Sequence, residues 1–127
     1  MKILLDTHTF IWYATGDKRL SKEAISLIES SEQKLLSAAS IWEMAIKVSV
    51  GKLHFKKPFE EIIKHQFVLN QYRMLHAQQE HFFELSKLPF HHRDPFDRLI
   101  IVQAQIDNIP IIGKDEIFDR YGVKRIW

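Results

Sequence analysis

The chain contains no cysteine. That excludes a disulfide framework, a thiolate metal site and a cysteine nucleophile, and it is compatible with a reducing compartment. Glycine and proline are scarce, four of each, and the glycines are scattered. No P-loop and no G-x-G-x-x-G turn can be assembled from them, and no G-x-S-x-G elbow occurs. Long apolar runs are also missing. KILLD, the opening stretch, is cut by Asp6 within a few residues, too short for a signal peptide's hydrophobic region or a membrane span. A cytoplasmic chain with no membrane association is the expectation. Charge of one sign is not in excess either: 18 basic against 16 acidic residues give +2, which permits nucleic-acid binding without demanding it.

What is present is an ordinary globular composition, 46% hydrophobic and 27% charged over 127 residues. That length suits one domain, 1–127, able to bury about two-thirds of its unfolded surface. KILLD (2–6) reads as a buried parallel strand ending on an acid. HTFIWYAT follows as a short helix, and Ser21 caps KEAISLIES. KLLSA (34–38) is a second strand. Ser40 opens the helix SIWEMAIKVSV, with Ser40-Ile-Trp-Glu43 as a capping box. Pro58 starts a helix carrying Phe59, Ile62, Ile63 and Phe67 on one face. YRMLHA (72–77) is a third strand, followed by a helix with Phe82, Leu85 and Leu88 on its buried stripe. DPFDRLIIVQAQID is the last long helix, with Asp94 as its cap and Pro95 in its first turn. IPII (109–112) and VKRIW (123–127) complete the strands. Alternating strands and helices predict an α/β fold, a mainly parallel sheet of four to five strands flanked by helices.

In such a sheet, ligands sit outside the carboxyl ends of the strands. Asp6 terminates the first strand, and Asp115 lies three residues past IPII. Glu43 is in the first turn of the helix after KLLSA. Asp94 and Asp97 are in the first turn of the helix before IPII. All five acids therefore fall on one edge, although their lateral order is not set by sequence. Each of Glu43, Asp94 and Asp115 is also explicable as a helix cap. Asp6 has no such reading from sequence. Two carboxylates about 4 Å apart repel by roughly 4 kcal/mol at an effective dielectric of 20, so the group must be spread, protonated or bound to a cation. Oxygen-only donors favour Mg2+ or Mn2+, and a hard cation there suits activating water and neutralising a phosphodiester.

LLDTHTFIW, SAASIWEMAIK, RDPFDRLIIVQA and PIIGKDEIFDRYGVKRIW, in that order, resemble the PIN-domain ribonucleases, and more narrowly the VapC-type toxins of type II toxin–antitoxin pairs. The resemblance runs from Lys2 to Trp127. It implies that Asp6, Glu43 and Asp97 are the catalytic acids and that Asp94 and Asp115 join them around the metal. It further implies Mg2+- or Mn2+-dependent cleavage of RNA, inhibition by a small antitoxin protein that docks on the aromatic-rich first half, and a homodimer. One position departs. The family places Thr or Ser two residues before its last acid, where this chain has Gly113, and Thr7 is the candidate to supply the missing polar contact.

Arg93, Arg98, Lys47, Lys52, Lys56, Lys57 and Lys114 are candidate phosphate contacts, which position RNA without reading its sequence. Arg98 is alternatively an ion-pair partner for a nearby carboxylate. His91 and His92 precede Asp94 in a loop and could touch RNA. The histidine spacing does not make a zinc site. Two rival readings remain open at this level: a non-catalytic RNA- or protein-binding module, for which Gly113 is the support, and a Mg-dependent phosphatase or phosphoacceptor domain.

Overall fold

The computed structural model describes residues 1–127. Five strands, β1 (Lys2–Leu5), β2 (Gln33–Ser37), β3 (Tyr72–Leu75), β4 (Ile111–Ile112) and β5 (Arg125–Ile126), form one sheet in the order β3-β2-β1-β4-β5. Every neighbouring pair is parallel, so the expected α/β sheet has its fifth strand and no antiparallel edge. The helices are α1 (Thr7–Thr15), α2 (Lys22–Ser30), α3 (Ala38–Ser49), α4 (Phe59–Leu69), α5 (Gln79–Leu85) and α6 (Pro95–Asp107), with a 3-10 helix over Glu116–Tyr121. No helix is long and apolar enough to cross a membrane.

The central strands are apolar without interruption because both of their faces are covered. Ile3, Leu5, Leu36 and Ile112 point to one side, into a core with Phe10, Trp12, Ala24, Ile28 and Met44. Leu4, Leu35 and Ile111 point to the other, against Leu99 through Val102 of α6, Phe118 and Tyr121. Each fully buried Leu or Ile contributes about 1.5–3 kcal/mol, and the two-sided burial fixes the strand register, since a one-residue slip would exchange the faces.

The strand order supplies what the sequence left open. The chain steps outward from β1 to β2 to β3, then α6 carries it back past β1 to β4. The strand order therefore reverses between the parallel neighbours β1 and β4, the place where ligands gather in open α/β folds. Asp6 leaves β1 there and Gly113 leaves β4, with Leu5 paired to Ile112 just before them.

Two local expectations change. The helix after β2 starts early. Ser37, the last residue of β2, is its N-cap, accepting from Ala39 N at 3.1 Å and donating to Gln103 Oε1 of α6 at 2.6 Å. Ser40 caps nothing; its hydroxyl accepts from Thr7 Oγ1 at 2.9 Å, so Glu43 is released from the capping-box reading. Ser37→Ala removes the cap and strands the Gln103 amide oxygen, and should cost about 1–2 kcal/mol. A lower urea midpoint at unchanged slope is the expected result. On α5, His81 is buried and Leu85 half-buried while Phe82 is 50% exposed, and Leu88 is buried only beyond the helix's end. The reason is at the helix start, where His81 Nδ1 accepts from Gln78 N at 2.8 Å and turns that residue inward.

Candidate functional site

Three of the acids do double duty as helix caps. Asp6 Oδ1 accepts from Thr9 N at 2.7 Å and so caps α1, a role not read from the sequence. Asp94 Oδ1 accepts from Phe96 N and Asp97 N at 2.9 and 3.0 Å, capping α6. Asp115 Oδ1 accepts from Ile117 N at 3.0 Å, capping the 3-10 helix. In each case one oxygen is fixed by backbone N–H and the other accepts no hydrogen bond. A cap thus locks the side chain's rotamer while leaving an oxygen for other work, and the helix N-termini favour the negative charge.

Asp97 enters from the first turn of α6, and Glu43 from the second turn of α3 and not the first, because that helix begins at Ala38. Glu43 is buried at 3% exposure; its Oε2 meets Lys47 Nζ at 2.7 Å, and its Oε1 is buried with no partner. Lys47 is held above its usual range by that contact, with Asp94 and Asp97 adding to the effect. Asp97 is pushed up to about 8, first by burial and then by the charges of Asp94, Asp6, Glu43 and Asp115. Asp6 is also raised, by burial before all else, against the opposing hydrogen bonds from Thr9. The four other acids expected from the sequence therefore all lie within electrostatic reach of Asp97.

No three of the acidic and histidine side chains stand close enough to hold one ion between them as they are. Mg2+ does not require that, since it commonly takes one or two carboxylates and keeps several waters. Two observations fit a hard cation: the unpartnered Glu43 Oε1, and the space beside Asp6. A Cβ on Gly113 would lie 2.9 Å from Asp6 Oδ2, 3.2 Å from its Cγ and 3.3 Å from Phe118 Cε2. Glycine at 113 is what lets this carboxylate occupy its place, which gives the departure at that position a steric cause and removes it as support for a non-catalytic module.

Other candidates fall out differently. Thr7 is buried, with its hydroxyl spent on Ser40, tying α1 to α3. Arg93 and Lys114 lie on the loops before α6 and after β4 and make no ion pair. Arg98 is neither a phosphate contact nor an ion-pair partner. It is 6% exposed, and its guanidinium donates to the carbonyls of Leu88, Pro89 and His92 at 3.0, 2.9 and 3.2 Å. His92 is the residue that sequence reasoning undervalued. Its Nε2 lies 3.0 Å from Asp97 Oδ2 and 3.7 Å from Asp115 Oδ2.

The chain matches the family model for the PIN domain over residues 3–124. Among solved structures it is similar to VapBC2 from Rickettsia felis, solved bound to a DNA fragment from their promoter (TM-score 0.71, 15% identity, 99% of this chain and 98% of that one). It is also similar to FitAcB from Neisseria gonorrhoeae (TM-score 0.69, 16% identity, 98% and 96%), and to FitAB bound to an IR36 DNA fragment (TM-score 0.68, 19% identity, 98% and 93%). No curated protein matches in sequence.

Proposed function

Since the chain belongs to the PIN-domain family, a family of nucleases, we propose that it is a Mg2+- or Mn2+-dependent endoribonuclease and the toxin half of a type II toxin–antitoxin pair. One observation carries the reading. Asp97 is held among four other acids at the switch point of the sheet, at a cost that raises its carboxyl to about 8, and a cation is what relieves it.

Asp6, Glu43 and Asp97 are the catalytic acids, with Asp94 and Asp115 completing the ring of oxygen donors. A divalent ion bound there supplies charge neutralisation and water activation for phosphodiester hydrolysis. The chain's own residues do the rest. The caps on Asp6, Asp94 and Asp115 fix the carboxylates before any ligand arrives, so little reorganisation is left for the reaction. Lys47 balances Glu43. Arg93 and Lys114, next to Asp94 and Asp115, hold the flanking phosphates of the RNA, contacts that position without specifying sequence.

The antitoxin reading draws on a groove of about 800 Å³ between α1 and the segment from Leu53 into α4. Ile11, Leu53, Phe55 and Ile62 give it an apolar floor, and Lys56 and Lys57 lie on its wall. That surface suits an amphipathic segment with acidic flanks. The similar structures VapBC2 and FitAB are themselves complexes solved on DNA. A homodimer and a cytoplasmic site of action belong to the same reading.

Cleavage of a mixed single-stranded RNA with Mn2+, and its loss in EDTA with recovery on adding Mn2+ back, is the expected result. Full activity in EDTA would sink the assignment.

A further inference from the structure

The segment Leu88–Asp94 has no regular secondary structure beyond a turn, yet it is anchored at nearly every step. Arg98, buried in the first turns of α6, donates to the carbonyls of Leu88, Pro89 and His92. From the opposite side, the Tyr121 hydroxyl donates to Pro89 O at 2.7 Å and accepts from His92 N at 2.7 Å. Phe90 lies over the Arg98 guanidinium at 3.9 Å. A buried cation spent wholly on loop carbonyls is expensive to desolvate, so the fold invests in holding this loop in one shape. What the loop presents is His92.

The ring's state follows from its contacts. Nδ1 accepts from the backbone N of Asp94 at 3.1 Å. A nitrogen that accepts an N–H carries no hydrogen, so the neutral ring bears its hydrogen on Nε2. Nε2 is buried, 3.0 Å from Asp97 Oδ2 and 3.7 Å from Asp115 Oδ2, and aligned for a hydrogen bond with neither. One donor is thus set between two carboxylates that come from different elements of the chain. Asp97 Oδ1 accepts no hydrogen bond and remains for a ligand.

We propose that His92 is a positioning residue of the acidic site: its buried Nε2–H, in close electrostatic contact with Asp97 Oδ2 and with Asp115 beside it, biases the Asp97 carboxylate toward the orientation that receives the divalent ion. The assignment rests on the nuclease reading above and adds a residue to it. His92 does not touch the substrate; it acts through Asp97. Outer-shell partners of metal-binding carboxylates typically affect metal affinity by about 10–100-fold.

The test is calorimetric titration of Mn2+ alone into the intact chain and its variants, with urea midpoints measured alongside. His92→Phe keeps the volume and loses the donor, and should weaken Mn2+ binding by about tenfold or more. His92→Gln places an amide N–H near the Nε2 position and should stay within about threefold of the parent. Tyr121→Phe releases the loop's clamp without opening the core and should fall between them. A merely structural histidine would lower both urea midpoints and leave Mn2+ affinity alone. Parent-like affinity in His92→Phe overturns the proposal, as does an equal loss in His92→Gln. If His92→Phe does not fold, parent-like affinity in Tyr121→Phe overturns it instead. No Mn2+ binding by the parent chain would overturn this proposal and the nuclease reading together, whereas equal binding by parent and variants removes only the role of His92.

Discussion

Asp97→Asn is expected to slow RNA cleavage by about three orders of magnitude and, in EDTA at pH 8, to make the protein more stable. The two effects share a cause. In the folded, metal-free chain the Asp97 carboxyl is raised to about 8 by burial and by its acidic neighbours, against about 3.9 when unfolded. Between those values the folded state holds a proton that the unfolded state has released. Stability therefore falls as pH rises from about 4 to about 8, and the penalty is complete above that window. Each tenfold change in a carboxyl's acidity on folding is worth about 1.4 kcal/mol, so with Asp97 still partly open to solvent a penalty of a few kcal/mol is expected. Asparagine cannot ionise. The urea midpoint of the variant relative to the parent should climb across that window, and the loss of a like charge beside Asp94, Asp6, Glu43 and Asp115 acts in the same direction. Mn2+ at a hundred times its Kd should stabilise the parent by about 2.7 kcal/mol and the variant far less. Losing this ligand should slow cleavage by about 10³-fold, equivalent to about 4 kcal/mol of transition-state stabilisation. Cleavage at the parent rate, or an unchanged pH slope of the midpoint, would remove Asp97 from the centre of the site.

The acids are legible in the sequence because each stands close to a strand end or a helix start, and a parallel sheet sends all such positions to one edge. Their lateral arrangement is not, because it depends on α6 passing β1 to reach β4, and strand order is a long-range property. The Ser40-x-x-Glu43 pattern misleads for a simpler reason. β2 runs into α3 with no intervening loop, and the serine that satisfies the first turn is the strand's own last residue, Ser37. Arg98 and His92 are noticed in the sequence but given other roles, because their partners are loop carbonyls and a tyrosine 29 residues from His92. No local pattern marks a cation whose only work is to shape a loop. The family resemblance picks out the five acids, but it carries nothing about what holds them in place.

Capping and metal chemistry first look like competing explanations of the D-P-F-D stretch, and the geometry makes them one device. A cap needs one carboxylate oxygen, and Asp6, Asp94 and Asp115 each give only Oδ1 to it. The remaining oxygens are brought to the sheet edge by rotamers the backbone has already fixed. The chain thus meets the entropy of ordering its acids with bonds that its helices need in any case.

That economy leaves little slack at one point, and Gly113→Ala should expose it. The residue sits where β4 ends; its N donates to Ile126 O at 3.1 Å and its carbonyl accepts from Arg125 at 3.2 Å, so the backbone there is tied on both sides. The new methyl would arrive 2.9 Å from Asp6 Oδ2 and 3.3 Å from Phe118 Cε2. A flexible surface side chain would swing away at small cost. Asp6 cannot, because its Oδ1 is held by Thr9 N and its surroundings are closed at 5% exposure. Either the carboxylate turns and the α1 cap is lost, or the end of β4 shifts. Overpacking of this kind costs about 1–3 kcal/mol, read as a lower urea midpoint. Mn2+ affinity should fall by about tenfold or more, since either Asp6 is displaced or the end of β4 moves and takes the segment leading to Asp115 with it. Phe118→Leu in the same chain relieves the contact with the ring but not the one with Asp6. The double variant should therefore regain some stability and none of the metal affinity. Recovery of affinity in that double variant would mean that the aromatic wall, and not the carboxylate, is what glycine makes room for.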